Sequence, residues 1–500
     1  MKDVELPYQA PVVSLPAREG EEVFHSYSRG LCPTCARLVD GTRLLRDGKV
    51  YLRKHCPEHG RSEALISGDA DWWLKSLTYI KPGTVPHGFS TKVEHGCPSD
   101  CGLCPDHEQH SCLPIVEISN HCNLECPICI VENKNNWSMT VEELDRVLDQ
   151  LVAKEGTVET VAFSGGEPTI HPRFLELVDR AVARPEISRV SVSTHGLRLA
   201  TDDALCASLA EKGVYVALQL DGTSNDALSR LRGRGNHAKA RQRTMAQLEK
   251  HGVRTTITAT VARGVNDDQI GDLVRMLLDG DHVLSLTFQP AAYTGFGGGS
   301  FSHDPLDVLT IPDVVKAIDV QTGGLLKADD FLPLPCSHPS CFALTYLLKV
   351  EDDWIPFPRF LELDRYLQVV SNRGTLRPDR DLEDAIRATM DEMWTSAAQI
   401  PDCDRILGSL RKAILLMYPE HRALELTERL RIGEGLVKTV FVHAFMDVHT
   451  FEVERIKKCC THYALPDGRL MPGCAYNNLY RGRDTRFAPA ALPAEIWSDE

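Results

Sequence analysis

The chain has 500 residues and a formal net charge of −15, with 43% hydrophobic and 25% charged residues. This length predicts two or three domains, and the acidic balance argues against a nucleic-acid partner, which would require a basic surface. The first residues do not resemble a signal peptide, and no apolar run reaches the length of a membrane-spanning helix. We therefore expect a cytoplasmic protein whose contact with membranes, if it has any, is peripheral.

Of the 17 cysteines, ten lie between Cys32 and Cys129 and five more between Cys336 and Cys474, whereas Cys206 and Cys403 stand alone. In a large chain without a secretion signal, clustered cysteines favour metal binding over disulfides. The first group pairs Cys32 and Cys35 with Cys56 and His59, on either side of a predicted hairpin. Three sulfurs and one nitrogen are typical of a rubredoxin-like or zinc-ribbon site, for which iron and zinc both remain open. Its predicted role is to hold together an amino-terminal module of residues 1–113.

A second cysteine group has three and then two residues between its first members. It comprises Cys97, Cys101, Cys104 and, further on, Cys112. Four thiolates predict a closed auxiliary 4Fe-4S cluster with a role in electron transfer or structure. A second zinc site is the alternative.

The same spacing recurs in Cys122, Cys126 and Cys129, but without a fourth cysteine. Because a four-iron cluster normally takes four cysteines, a three-cysteine loop leaves one iron open for chemistry. Downstream, Gly165 and Gly166 allow a ligand to approach the backbone closely, and the ionised Glu167 suits an ammonium group.

From residue 114 to 300, short apolar strands alternate with helical patterns. The predicted strands cover residues 115–118, 160–163, 190–193, 214–220, 254–261 and 283–288. This alternation predicts an α/β fold with a parallel sheet, and the candidate chemistry falls at the carboxyl ends of the strands. Ser193, Thr194 and Asp221 are strand-end polar residues that we expect to contact a ribose or a carboxylate.

After a glycine-rich turn at 297–300, residues 301–500 are expected to form a mostly helical carboxy-terminal domain, for example over 382–393 and 406–418. A further auxiliary 4Fe-4S cluster is predicted there, closing the domain over the barrel mouth. Its expected ligands are Cys336, Cys341, either Cys459 or Cys460, and Cys474. Free core thiols are the alternative.

The three-cysteine loop and the Gly-Gly-Glu-Pro loop together resemble the radical S-adenosylmethionine (SAM) superfamily. This resemblance implies a partial (β/α)6 barrel and a cluster whose open iron is chelated by the amino and carboxylate groups of SAM. It assigns the SAM amino group to the loop of Gly165, Gly166, Glu167 and Pro168, while Ile128 stands where the family usually packs an aromatic ring on adenine. An electron from a flavodoxin- or ferredoxin-type donor would then cleave SAM to a 5′-deoxyadenosyl radical.

Further segments resemble one branch of the superfamily, which contains archaeal tetraether lipid synthases and class D radical SAM methyltransferases. They are the cysteine knuckles at 32–35 and 55–60 and the segments 264–267, 288–290, 355–359 and 459–463. The branch implies three clusters, one mononuclear metal and carbon–carbon bond formation at an unactivated sp3 carbon.

Joining of lipid chains is the expected reaction, with Arg359 as the candidate contact for a phosphate headgroup. The alternative is transfer of a one-carbon unit from a methylene-tetrahydrofolate or a pterin analogue to a small molecule. A non-enzymatic electron-transfer or regulatory protein is a further alternative, although such a protein has no need of the Gly-Gly-Glu-Pro loop.

Overall fold

The computed structural model of the protein describes residues 21–131, 137–233, 235–293, 301, 304–373, 376, 378–395 and 400–486. Residues 1–20, which do not resemble a signal peptide, and the predicted glycine-rich turn at 297–300 lie outside these ranges. Within them the strands form one small antiparallel sheet and one large mixed sheet.

The small sheet carries the first cysteine group on its turns. Its strands follow one another in chain order: β1 (Val23–Leu31), β2 (Leu38–Arg46), β3 (Lys49–Cys56) and β4 (Gly60–Ser67). Asp47 and Gly48 join β2 to β3 with φ values of 51° and 70°, the left-handed geometry that a two-residue hairpin requires. Helix α1 (Ala70–Leu77) follows and buries Trp73.

The large sheet contains the six predicted strand–helix units, which the structure confirms. Their strands are β5 (Leu113–Ser119), β6 (Val161–Gly165), β7 (Val190–Thr194), β8 (Tyr215–Gln219), β9 (Thr255–Val261) and β10 (Val283–Pro290). Between them lie α2 (Val141–Glu155), α3 (Phe174–Val182), α4 (Asp203–Glu211), α5 (Asn225–Arg232), α6 (His237–Lys250) and α7 (Ile270–Asp279). All six strands are parallel and neighbour one another in chain order, so their carboxyl ends form one edge.

The carboxy-terminal region is mostly helical, as the sequence predicts, but it also contains six strands. Its helices are α8 (Ile311–Thr322), α9 (Leu363–Val370), α10 (Arg380–Thr395), α11 (Cys403–Met417), α12 (Leu426–Glu434), α13 (Val453–Lys457) and α14 (Gly473–Ala475). Its strands are β11 (Leu332–Pro333), β12 (Phe342–Val350), β13 (Asp353–Pro356), β14 (Val437–His443), β15 (Thr461–Ala464) and β16 (Leu470–Pro472). The sequence analysis did not find these strands, because periodicity alone does not separate a buried apolar strand such as β12 from a buried helix.

These later strands continue the barrel sheet instead of forming a sheet of their own. Strand β14 pairs parallel with β10, and β15 pairs parallel with β5, so each extends one edge of the parallel run. Strand β12 then lies antiparallel on β14, and β16 lies antiparallel on β15. The last part of the chain thus returns to both edges of the barrel.

The two faces of the parallel sheet differ in polarity. One face packs into the main hydrophobic core through residues such as Val192, Leu218 and Ile257. Because side chains alternate along a strand, the intervening residues face the opposite side, the lumen of the barrel. These half-buried residues are mostly polar: Ser191, Ser193, Gln219, Thr256, Thr258, Thr260, Ser285, Thr287 and Gln289. The lumen is therefore lined largely by hydroxyl and amide groups.

A cavity of about 210 Å³ lies at the amino ends of the strands. Ser191, Tyr215 and Thr256, each at the first or second position of its strand, contribute to its wall. The remaining wall comes largely from apolar residues of α10 to α12 and from the segment before α9, among them Phe357, Phe360, Leu410 and Met417. The carboxy-terminal helices thus close the end of the barrel opposite to the predicted catalytic edge.

Candidate active site

The two motifs predicted to act together meet at the carboxyl edge of the sheet. The Gly166 N–H donates to the Ser119 carbonyl at 2.7 Å, and the Glu167 N–H donates to the His121 carbonyl at 2.8 Å. Gly165 has a φ of 127°, and a Cβ added to it would lie 1.9 Å from the Ser119 carbonyl oxygen. A Cβ on Gly166 would lie 2.2 Å from the His121 oxygen. Only glycines therefore allow this loop to lie against the cysteine loop.

The Glu167 carboxylate is held by donors from two strand ends. It accepts hydrogen bonds from the Thr169 N–H at 3.1 Å, the Thr169 hydroxyl at 2.5 Å, the Thr194 hydroxyl at 2.6 Å and the His195 N–H at 2.9 Å. Three of these donors meet Oε1 and one meets Oε2. Glu167 and Thr194 thus hold the loop in which a one-turn helix begins at Pro168.

Asp221 is likewise occupied within the chain. Its carboxylate accepts from Arg232 Nε and Nη2 at 2.6 and 2.7 Å, from Gln219 Nε2 at 2.8 Å and from the Thr260 N–H at 2.8 Å. Burial opposes its ionisation, but the charge and hydrogen bonds of Arg232 outweigh burial and lower the pKa of Asp221. The structure therefore shows that Asp221 positions Arg232, while its expected contact with a ribose or carboxylate stays a prediction.

Two buried arginines that the sequence analysis missed lie at this site. Arg232 lies beside the cysteine loop, close enough to the Cys126 thiol to oppose the rise that burial causes in its pKa. Arg241 donates Nε to the Gln219 carbonyl at 2.8 Å, whereas its Nη1 and Nη2 have no partner among the described residues. Burial lowers the pKa of Arg241 to about 10. A buried guanidinium with two free donors fits the carboxylate of SAM. Both arginines come from helices in which nothing in the sequence distinguishes them from surface residues.

The three predicted cluster cysteines lie together on the loop after β5. The Cys129 N–H donates to the Cys126 carbonyl at 3.0 Å, and burial raises the pKa of Cys122 to about 12. Ile128 is buried beside Leu231 in a small apolar cluster, where it can offer an apolar contact but no aromatic stacking. The Cys122 thiol is therefore ionised readily only when a metal binds it.

The first cysteine group forms a compact metal site, as its spacing predicts. The ligand atoms of Cys32, Cys35, Cys56 and His59 all lie within 4.8 Å of one another. The sulfurs of Cys35 and Cys56 are 4.0 Å apart, and Cys56 Sγ lies 3.5 Å from His59 Nδ1. In a tetrahedral site with metal–sulfur bonds of about 2.3 Å, two sulfurs are about 3.8 Å apart. The donor set therefore fits one zinc or iron ion without rearrangement.

Comparison with known proteins agrees with both sites. Residues 116–277 match the radical SAM superfamily, and residues 24–68 match the HMPTM N-terminal zinc ribbon domain. The chain is 30% identical over 500 residues to the 7,8-dihydro-6-hydroxymethylpterin dimethyltransferase of Methanocaldococcus jannaschii, covering 93% of this chain and 96% of that protein.

The chain belongs to the radical SAM superfamily. It is also similar to GTP 3′,8-cyclase of Streptomyces coelicolor, with 29% identity over 34% of this chain and 50% of that enzyme. Among solved structures it is similar to SuiB of Streptococcus suis bound to S-adenosylmethionine, with a TM-score of 0.36, 17% identity and coverage of 43% and 47% of the two chains. The near full-length relative confirms the resemblance to the branch with radical SAM methyltransferases, and the protein is a radical SAM enzyme that binds a 4Fe-4S cluster and SAM.

The remaining cysteines of this radical SAM enzyme are grouped differently from our prediction. Cys97, Cys101 and Cys104 line one small cavity together. Cys112 is not among them: its backbone N–H donates to the Cys460 carbonyl at 2.9 Å, and its thiol lies close to those of Cys336 and Cys460. The structure therefore does not bring Cys112 to the other three members of the predicted set, Cys97, Cys101 and Cys104, but places it just before β5, beside β15.

The predicted carboxy-terminal set is divided as well. Cys341, Cys459 and Cys474 lie near one another and near Arg455, whose Nε donates to Cys341 Sγ at 3.3 Å. Cys336 lies apart from them, beside Cys112. Cys459 thus lies near Cys341 and Cys474, whereas the Cys460 carbonyl accepts from the Cys112 N–H. We had expected one cysteine of that pair to be a ligand and the other to pack in the core.

Proposed function

We propose that the protein is a radical SAM C-methyltransferase that acts on a small polar heterocycle of the pterin class. The observation that carries this proposal is the near full-length similarity to an enzyme named as a hydroxymethylpterin dimethyltransferase. We had ranked this reaction second, behind lipid coupling.

The polar lumen supports a substrate of this kind. Serine, threonine and glutamine side chains from β7 to β10 line it, with Gln219 and Thr260 near the catalytic edge. A pterin offers several ring nitrogens and exocyclic polar groups to such donors and acceptors. A site built to hydrogen-bond its ligand discriminates strongly against ligands that leave those groups unpaired. An alkyl chain in this lumen would leave the hydroxyl and amide groups of the wall unpaired.

The residues of the site have separate roles in this proposal. Cys122, Cys126 and Cys129 hold the cluster, Arg241 binds the SAM carboxylate, and Glu167 fixes the loop that meets the amino group. Reductive cleavage of SAM at such a cluster supplies a 5′-deoxyadenosyl radical that abstracts hydrogen from an unactivated carbon. A flavodoxin- or ferredoxin-type donor supplies the electron that cleaves SAM and, together with protons, the further electrons that reduce the transferred carbon from the methylene to the methyl level. The carbon comes from a methylene-tetrahydrofolate or a related pterin, which is released without it. The surrounding barrel excludes water from the reacting groups.

Lipid coupling is the second candidate, and the apolar cavity at the amino ends of the strands favours it. One feature weighs against it. Arg359, the expected headgroup contact, donates to Asp330 at 2.8 and 2.6 Å, so its charge is already paired. No described helix is long and apolar enough to cross a membrane, but this finding does not distinguish the two reactions.

Substrate-stimulated cleavage of SAM tests the proposal. Anaerobically reconstituted, reduced enzyme is incubated with SAM and either 7,8-dihydro-6-hydroxymethylpterin or phospholipid vesicles, and 5′-deoxyadenosine is quantified. We expect the pterin, with a methylene-tetrahydrofolate, to raise 5′-deoxyadenosine formation above the substrate-free rate. Stimulation by the phospholipid alone would support lipid coupling instead.

A further inference from the structure

Exposed cations gather where α5 and α6 meet, although the net charge of the chain is −15. Residues 221–243 contain six lysine or arginine residues and two aspartates. Three of the six are exposed: Arg230 on α5, and Lys239 and Arg243 on α6. Lys239 and Arg243 are four residues apart in a helix, so their side chains share its outer face. We call the surface formed by these three residues the basic patch.

The cations of the basic patch have no acidic partners among the described residues. Arg230 donates Nη1 to a neutral group, the Gly264 carbonyl, at 3.0 Å. Exposed arginines elsewhere on the barrel helices are paired within the protein, as Arg173 is with Glu176 on α3. The basic patch therefore presents positive charge that the described part of the chain does not neutralise.

The chain between α5 and α6 lies directly against the loop of the three catalytic cysteines. The Ile128 N–H of that loop donates to the Leu231 carbonyl at 3.3 Å. A Cβ added to Gly233 would lie 3.5 Å from the Glu125 carbonyl oxygen. Arg232 stands between these two contacts, beside the thiol of the second catalytic cysteine. The basic patch thus flanks the loop that holds the catalytic cluster.

The cysteine loop is open to solvent where it meets this part of the chain. Glu125 in the cysteine loop and Gly235 just before α6 are both exposed. The cysteine loop and α5 each add one exposed acid, Glu125 and Asp226, so cations still predominate here. The SAM loop contacts a different segment, the carbonyls of Ser119 and His121 ahead of the first cysteine. The end of the cysteine loop near the basic patch is therefore accessible to a protein partner.

We propose that the basic patch of Arg230, Lys239 and Arg243 is the docking surface for the electron donor, a small acidic protein that carries single electrons on a flavin or an iron–sulfur centre. Charge complementarity favours this occupant, because a local field of opposite sign steers a partner to its site and speeds the encounter. The donor loses one electron, as flavin hydroquinone becomes semiquinone or reduced ferredoxin becomes oxidised, and the catalytic cluster gains it. The proposal rests on the electron donor of the proposed function and not on its substrate.

The dependence on ionic strength tests the docking surface without any substitution. Reconstituted wild-type enzyme and SAM are mixed with a limiting amount of flavodoxin hydroquinone or of reduced ferredoxin, and the initial rate of 5′-deoxyadenosine formation is measured. Two proteins of negative net charge repel each other, so docking elsewhere gives a rate that rises as salt screens the repulsion. Docking at the basic patch predicts a rate that falls between about 0.05 and 0.5 M salt. A fall with one donor identifies that donor as the partner, and a rise with both would overturn the proposal.

Charge reversal assigns the effect to particular residues. Lys239→Glu with Arg243→Glu should slow the donor-driven rate about 10-fold or more at low salt and weaken the binding of oxidised flavodoxin in titration calorimetry. Lys239 is the third residue of α6, where a glutamate suits the helix N-terminus, so the fold should be kept. Arg411→Glu with Lys412→Glu is the matched control, because it reverses two exposed charges on α11 at the other end of the barrel. Equal slowing in both double variants would contradict the assignment.

Reduced methyl viologen, a small cation, separates docking from damage to the site. It should drive 5′-deoxyadenosine formation in Lys239→Glu with Arg243→Glu at least as fast as in the wild type, since a more negative surface does not repel a cation. Loss of this reaction as well would show that the two residues maintain the site, and would overturn the proposal. So would loss of binding to phosphatidylglycerol vesicles with unchanged donor-driven rates, because the patch would then face a membrane. None of these assays contains a pterin, so their failure leaves the proposed methyl transfer untouched.

Discussion

Arg232 and Asp221 form a buried two-point ion pair beside the Cys126 thiol. The arginine Nε and Nη2 donate to the two carboxylate oxygens at 2.6 and 2.7 Å, and the Asp221 side chain is completely buried. The pair joins the end of α5 to the loop after β8, at the edge where the catalytic cysteines lie. The end of α5 and the loop after β8 are therefore held together beside the catalytic cysteines by a carboxylate and a guanidinium that neutralise each other.

Asp221→Asn should lower the free energy of unfolding by about 3–5 kcal/mol, because it leaves Arg232 buried without its partner. The effect should depend on pH. Because the folded state lowers the pKa of Asp221, its contribution is present above about pH 4, the ordinary aspartate value, and is lost as the pH falls through the lowered pKa. Anaerobic denaturant titrations across this range measure the difference between the two proteins.

The matched control for this prediction is Asp203→Asn. Asp203 pairs with Lys250 at the surface, where both side chains are more than half exposed. Surface pairs contribute little to stability, so we expect no measurable change. Equal losses in the two variants would contradict the special role of the Asp221–Arg232 pair.

Glu167→Gln should weaken SAM binding by about 10- to 100-fold, the factor that corresponds to one buried donor left without an acceptor. The amide would place its own donors against those of Thr169, Thr194 or His195. Equilibrium binding of SAM to the reconstituted enzyme measures the effect, and the iron content should not change. Glu176→Gln on the surface of α3 is the control. Unchanged affinity in Glu167→Gln would mean that these hydrogen bonds do not hold the SAM loop.

Gly166→Ala should abolish SAM cleavage while the protein remains folded. The added Cβ would lie 2.2 Å from the His121 carbonyl oxygen, so either the SAM loop or the cysteine loop must move. Gly408→Ala in α11 is the control, since a Cβ there meets nothing within 4 Å and alanine favours the helix. Formation of 5′-deoxyadenosine measures both variants. Full activity in Gly166→Ala would show that the contact between the loops is dispensable.

Replacement of Cys122, Cys126 and Cys129 by alanine should remove about four irons per chain and all formation of 5′-deoxyadenosine. The metal of the small sheet should remain, because its four ligands are independent of this loop. Cys206→Ala with Cys403→Ala is the control, since both thiols are buried and donate to backbone carbonyls. Metal analysis gives the counts. SAM cleavage by the triple variant would refute the assignment of the catalytic cluster.

Prediction from sequence succeeded where the signal is local. The hairpin at Asp47 and Gly48, the compact ribbon site and the six strand–helix units all depend on short-range patterns. The grouping of the auxiliary cysteines does not depend on such patterns. Cys112 meets Cys460 because β15 pairs with β5, a contact between segments about 350 residues apart that no spacing rule contains.

The same limit applies to the substrate and to the roles of charged residues. The motifs at the cysteine and glycine loops are shared by lipid coupling and methyl transfer, so they could not rank the two reactions. Arg241 and Arg232 are ordinary helix residues in the sequence, and only the fold shows that they are buried at the catalytic edge. Asp221 was correctly placed at a strand end, but its partners come from α5 and β9.

The most direct test of methyl transfer to a pterin is a competition between the two candidate substrates. Reduced enzyme and SAM are incubated with 7,8-dihydro-6-hydroxymethylpterin, methylene-tetrahydrofolate labelled with carbon-13 in its methylene group, and a phospholipid deuterated along its tails. Our account predicts a pterin product that carries one or two labelled methyl groups, with no deuterium in 5′-deoxyadenosine. An unchanged pterin together with deuterium transferred from the lipid to 5′-deoxyadenosine would contradict it.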